Sequence, residues 1–196
     1  MPRLPEFLRR HSDLEIELVL DDRNVDLVQE GIDVALRIGR LTDSRLTARR
    51  IASGSHAVVG TPAYFARAGE PTAPGDIAAH EAVIYAQAGG GADWTFQRNG
   101  AEVAVTLKGR MRVSAAEGVR AAVLANAGLA IASEWMFAPK IADGTVKVVL
   151  QDWELPRIDL WAVFPAGRTA TTKARTFTQF VQEVMRLPGD VSRETS

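Results

Sequence analysis

The chain of 196 residues contains no cysteine. That excludes disulfides, thiolate metal sites and thiol catalysis, while leaving the compartment open. Net charge is also nearly absent: 23 lysines and arginines against 24 aspartates and glutamates leave −1. The chain as a whole therefore has no electrostatic grip on DNA. The Arg9-Arg10 and Arg49-Arg50 pairs read as solvated surface, because acids are interspersed throughout. No apolar run approaches the ~18 residues of a membrane span. The opening MPRLPEFLRR has no apolar core followed by a small-residue cleavage site, so no secretory signal is read and a cytoplasmic location is expected. Internal repeats and low-complexity tracts are lacking too. What remains is ordinary globular composition, 46% hydrophobic and 24% charged, enough for one domain or two small lobes with a core.

Enzyme constellations are equally sparse. His11, His56 and His80 are isolated, without metal-ligand spacing, and are expected at the surface or in turns. Ser53-Gly54-Ser55-His56 is not a G-x-S-x-G elbow, and nothing places an acid behind the histidine. Gly89-Gly90-Gly91 lacks the Lys-Ser/Thr of a phosphate cradle and reads as a loop. Asp21-Asp22 is the one carboxylate pair, but it falls where a strand gives way to a helix, a place that favours Asp as a cap. No cofactor or metal is expected, and the chain is not read as an enzyme.

The pattern along the chain alternates strands and helices. Leu4, Phe7 and Leu8 make one helical face. Leu14, Ile16, Leu18 and Leu20 alternate with Glu15 and Glu17, predicting a strand at a sheet edge. Val25, Val28 and Ile32 predict a short helix, and a second strand ends at Arg37-Ile38-Gly39. Thr61-Pro62 is a helix start over AYFARAG, and GEPTAPGDIAAH allows at most one more turn of helix. Strands are predicted at Val83–Tyr85, Trp94–Phe96, Val103–Leu107 and Met111–Val113, with Arg98-Asn99-Gly100 as a hairpin turn. Ser114-Ala115-Ala116-Glu117 matches a capping box for a helix from Ala115 to about Ala127, stopped by Gly128. Leu129–Ala132 reads as a buried strand, WMFAPKIADG as helix, and Val146–Leu150 and Ile158–Phe164 as strands. A last helix puts Ala174, Phe177, Val181, Val184 and Met185 on one face, before a polar tail from Pro188. The alternation implies an α/β fold with largely parallel sheets.

The ordered set VDLVQEGIDVALRIG, the Asp43-Ser44 turn and LTARRI resembles the effector-binding domain of LysR-type transcriptional regulators. The resemblance extends from Leu4 to about Leu187. It implies a two-lobed fold like type 2 periplasmic binding proteins, with residues 1–60 plus 166–196 as lobe I and 61–165 as lobe II. Crossovers would fall near Gly60-Thr61 and Phe164-Pro165. It also implies a small-molecule effector bound between the lobes and a homodimer built partly on the Leu14–Leu20 strand and the helix before it, with larger assemblies such as a tetramer only in the intact regulator. DNA would be reached only through a helix-turn-helix that the chain does not include. A first strand of lobe I, which the family places before Leu4, is not found either, so the lobe is expected to be weakened or to borrow a strand from a neighbouring chain.

In open α/β folds ligands sit beyond the carboxyl ends of strands, near helix N-termini. The resemblance points to the same places. They are Asp21 and Asp22; Arg37, Ile38 and Gly39; Ser114, Ala115 and Ala116; and, from the other lobe, Ala132, Ser133 and Trp135. Arg37 offers a planar fork to a carboxylate ligand or, equally, a salt bridge to Asp21, Asp22 or Asp33. Ser114 is explained as a cap or as a ligand donor, Gly39 by close approach or by strand termination, and Trp135 as an apolar wall or as core. Two carboxylates at Asp21-Asp22 disfavour a purely anionic effector and favour an amino or zwitterionic one. A stand-alone solute-binding protein and an enzyme on the same fold, using Asp21, Asp22 or Glu117, are the rival readings.

Overall fold

The computed structural model describes residues 3–23, 25–41, 47–86, 91–166 and 169–186. Asp43-Ser44, Gly89-Gly90 and the tail from Pro188 lie outside them. In chain order the elements are α1 (Leu4–Arg10), β1 (Ala35–Ile38), β2 (Thr47–Gly54), β3 (His56–Gly60), α2 (Pro62–Ala68), a 3-10 turn (Pro74–Ala79), β4 (Val83–Tyr85), β5 (Asp93–Arg98), β6 (Ala101–Thr106) and β7 (Met111–Val113). After them come α3 (Ala116–Leu124), β8 (Ala130–Ser133), α4 (Glu134–Ala142), β9 (Lys147–Val149), β10 (Ile158–Phe164) and α5 (Thr172–Met185). The chain is α/β and divides into two compact units, Met1–Ser53 with Asp159–Ser196, and Gly54–Ile158. Among the described residues no helix is long and apolar enough to cross a membrane.

In the first unit a three-stranded sheet runs β1-β10-β2, with β1 antiparallel to β10. Phe7 anchors α1. It is 1% exposed and lies against Phe177 and Phe180 of α5 at ring distances of 5.4 and 5.0 Å. Two sequence expectations fail here. Leu14–Leu20 forms no strand, and Leu18, Val19 and Leu20 are 45%, 57% and 75% exposed. Alternation predicts which side chains share a face, but a strand also needs a ladder partner. Residues 25–32 form hydrogen-bonded turns rather than a helix. Asp26 accepts from the amides of Val28 and Gln29, and Gly31, at φ +65°, ends the run after one turn.

In the second unit β3 is buried along its whole length between β8 and β9. Its alternation separates two cores: Val58 packs with Phe65, Ile77, Phe96 and Leu129, and Val59 with Val119, Val123, Phe137 and Val146. Each fully buried valine contributes roughly 1.5–3 kcal/mol of transfer free energy. The expectation of largely parallel sheets is corrected: β3 is antiparallel to both β8 and β9, and β5 is antiparallel to β6, while β4 pairs with β7 in parallel. In the three-stranded sheet of this unit the reason lies in β3. Because β8 and β9 both oppose it, they run parallel to each other across α4, as a helical crossover requires, and β3 is the reversed strand inserted between them. The β5–β6 hairpin turns at Asn99 and Gly100, both at positive φ (50° and 79°), as the Asn-Gly pair predicts.

The capping box at Ser114 does not form. The N-cap is Ala115, which has no hydroxyl, and Glu117 pairs instead with Arg120 at 2.6 Å. The helix stop is not Gly128 either: α3 ends at Leu124 and Asn126 takes the left-handed conformation at φ 62°. Gly128 serves a close approach, with the carbonyl oxygen of Glu81 2.4 Å from where its Cβ would stand.

Candidate functional site

Each expected site residue is placed within its own unit. In the first, Asp21 accepts the backbone N–H of Arg23 at 2.8 Å and holds the Arg23 guanidinium through both carboxylate oxygens. The Arg23 hydrogen bonds pull the Asp21 carboxyl down to about 2. Asp21-Asp22 is therefore not a bare double negative charge, and the argument against an anionic effector loses half its basis. Asp26 caps the turn that follows, accepting from the Val28 and Gln29 amides.

Arg37 is half-buried in β1 and donates from Nη2 to the Val25 carbonyl at 3.0 Å. Two of the three acids that offered an alternative reading are engaged elsewhere. Asp21 is held by Arg23 at 2.8 Å and Asp33 by Lys173 at 2.6 Å. Among the described residues Arg37 makes no ion pair, so the rest of its fork is available to an acceptor. Ile38 is 50% exposed. Gly39 stands at φ 101°, donates to the Asp159 carbonyl at 2.9 Å and accepts from Trp161 Nε1 at 3.0 Å. Both of its backbone groups are engaged, which makes it a strand terminator, and Trp161, unnoticed in the sequence, is the clamp that fixes it.

In the second unit Ser114 is exposed at the start of α3, whose first turn has no side-chain cap, with Ala115 and Ala116 beside it. Ala132 and Ser133 are buried in β8. Ser133 caps α4 by accepting the Trp135 N–H at 3.2 Å, and the Glu134 N–H reaches the Ser55 carbonyl at 3.1 Å. The half-buried Trp135 ring lies on Gly54: a Cβ there would come 2.5 Å from Cζ2. Ser133 and Trp135 are thus brought together, and Gly54 is the partner that sequence reasoning missed.

Of the histidines expected at the surface or in turns, His56 lies buried in β3, and His80 ends the 3-10 turn, as expected of a turn, but is buried there. His56 is 9% exposed, with Nδ1 2.6 Å from the Pro156 carbonyl and its ring edge-on to Trp94 at 4.7 Å. His80 is 8% exposed and its Nδ1 is 3.1 Å from Tyr64 Oη, which donates in turn to the Glu81 carbonyl at 3.2 Å. Burial pushes the His80 imidazole below its ordinary value, and Asp76 opposes this more weakly. Among the described residues no group of acids and histidines has metal-holding geometry. A cavity of about 310 Å³ lies on the β5–β6 hairpin, lined by Gln97 to Glu102 and Glu154, and includes none of the expected residues.

A family model described as the LysR substrate binding domain matches residues 1–186. The HTH-type transcriptional regulator PtxR of Pseudomonas aeruginosa is 30% identical over 177 residues, 90% of this chain and 57% of that protein. An HTH-type transcriptional regulator of Xanthomonas campestris is 28% identical over 193 residues, 96% of this chain and 56% of its own length. The chain thus spans a little over half the length of these relatives. Among solved structures, the full-length virulence activator AphB of Vibrio cholerae, a member of the LTTR protein family, superposes with a TM-score of 0.75 at 25% identity, over 94% of this chain and 63% of AphB. The regulatory domain of CrgA from Neisseria meningitidis, a LysR-type transcriptional regulator, shares the fold with a TM-score of 0.82 at 23% identity, over 94% of this chain and 90% of that one.

Proposed function

This chain belongs to the LysR substrate binding domain family, and from that premise we propose that it senses a small metabolite and dimerises on behalf of a DNA-binding transcription regulator. The two compact units act as the two lobes of a fold like type 2 periplasmic binding proteins. Effector contacts are assigned to Arg37, Ile38 and Gly39 with Asp21 and Asp22 in one, and to Ser114–Ala116, Ala132, Ser133 and Trp135 in the other. The observation that carries this reading is the family match over residues 1–186. Arg37, half-buried and with its fork largely unoccupied, supports a ligand carrying a carboxylate. With Asp21 satisfied by Arg23, a plain organic acid fits as well as an amino acid.

The effector acts by favouring one arrangement of the protein over another. The shift it produces is limited to its differential affinity for the two. DNA is reached through a helix-turn-helix elsewhere in the intact regulator. A cytoplasmic site of action goes with that role. The test is a thermal-shift panel of amino acids, aromatic acids and short organic acids on the wild-type chain and on Arg37→Ala. One class is expected to stabilise the wild type, by about 2.7 kcal/mol at a hundred times Kd, with the shift lost in the variant. A panel without any stabilising acid sinks the reading.

A further inference from the structure

The chain passes between its two units twice, at Ser53–Gly54 and at Ile158–Asp159. The strands that make these passages are neighbours in one sheet: β2 ends at Gly54, β10 begins at Ile158, and the order β1-β10-β2 sets them side by side. A ladder holds two strands together only as far as both of them run. On the second-unit side β2 gives way to Ser55 and β3, while Leu155, Pro156 and Arg157 belong to no strand. Pro156 also has no N–H with which to extend a ladder.

His56 takes over at that point. Its ring is buried, and Nδ1 stands 2.6 Å from the Pro156 carbonyl oxygen. A carbonyl can only accept, so Nδ1 carries the proton and donates. The ring is edge-on to Trp94 at 4.7 Å, and Trp94 belongs to the core that Val58 enters. One side chain therefore fastens the first passage to the second and both to the core. The first passage is held again from the start of α4. The Glu134 N–H reaches the Ser55 carbonyl at 3.1 Å, and the Trp135 indole lies on Gly54 with no room for a Cβ between them.

We propose that His56 is a clasp that couples the start of α4 to both passages, so that a displacement of Trp135 at Gly54 is passed on to Pro156. Ser133 and Trp135 are effector contacts in the function proposed above, and the signalling role of the clasp rests on that reading. The clasp itself is tested without any effector.

The test is amide hydrogen exchange of the intact chain and three variants. His56→Phe keeps an aromatic ring against Trp94 and removes the donor, whereas His56→Asn keeps an N–H close to the place of Nδ1. In His56→Phe, exchange at Arg157 and Ile158 is expected to speed up about tenfold, because the Pro156 carbonyl loses its partner, while the β5–β6 hairpin keeps its wild-type rates. His56→Asn restores most of the protection. Trp135→Phe removes the ring atoms that lie on Gly54 and speeds exchange at Gly54 and Ser55. It does so at Arg157 and Ile158 as well when His56 is intact, and no longer in combination with His56→Phe. Unchanged rates at Arg157 and Ile158 in His56→Phe overturn the clasp. A rise spread evenly over the second unit overturns it too, since that marks a general loss of stability. If His56→Phe does not fold, Trp135→Phe decides, and faster exchange confined to Gly54 and Ser55 overturns the coupling. The thermal-shift panel judges effector binding separately, so failure of one reading is distinct from failure of the other.

Discussion

Gly109 and Gly128 occupy positions with no room for a side chain, since a Cβ would stand 1.8 Å from the Ala82 carbonyl oxygen and 2.4 Å from that of Glu81. Both obstacles are backbone, so the chain itself must move. Gly128→Ala is expected to destabilise the second unit by about 2 kcal/mol or more. Gly75→Ala, with open space around it and no positive φ, should be near neutral. Thermal denaturation of the two variants checks the contrast. His80 makes a pH prediction. Burial favours its neutral form in the folded chain, so the unfolded chain binds the proton first as pH falls. Its contribution is complete above the ordinary value of 6.5 and is lost as pH drops through the lowered folded value. His80→Gln should therefore flatten the decline of the urea midpoint below about pH 6.5, and equal slopes in variant and wild type would contradict this. Neither role could be read from the sequence. The close approach at Gly128 and the burial of His80 both depend on residues far away in the chain.

At the scale of elements, features governed by neighbours in sequence were legible. Thr61 caps α2 by accepting the Tyr64 N–H at 3.1 Å, with Pro62 in the first position, as the dipeptide predicts. Its hydroxyl also bonds Asn126. Thr61→Ala removes both bonds and is expected to cost about 1–2 kcal/mol, read as a lower urea midpoint with unchanged slope. The Asn99-Gly100 turn was legible for the same reason. The strand expected at Leu14–Leu20 was not, because its ladder depends on what lies beside it. The box at Ser114 failed by one residue: the chain enters the helix at Ala116, so the cap falls on Ala115. Helix boundaries shift by a residue or two for causes outside a four-residue motif.

For the whole molecule, alternation of strands and helices gave the α/β class but not the direction of β3, which makes both of its own pairs antiparallel, nor the antiparallel pairing of β1 with β10. The family was legible in VDLVQEGIDVALRIG and LTARRI, and the match over residues 1–186 agrees with it. The candidate site was legible only in its residue types. Sequence supplied Arg37, Ser133 and Trp135, while Arg23, Gly54 and Trp161, which fix the behaviour of their neighbours, emerge from contacts between segments. The central claim is that a small acid binds at the strand ends and helix starts assigned above. Amide chemical-shift mapping with the best acid from the thermal-shift panel tests it most directly. The account predicts saturable shifts at Ile38 and Gly39, abolished by Arg37→Ala. Shifts confined to the hairpin cavity at Gln97–Glu102 and Glu154, persisting in that variant, would contradict it.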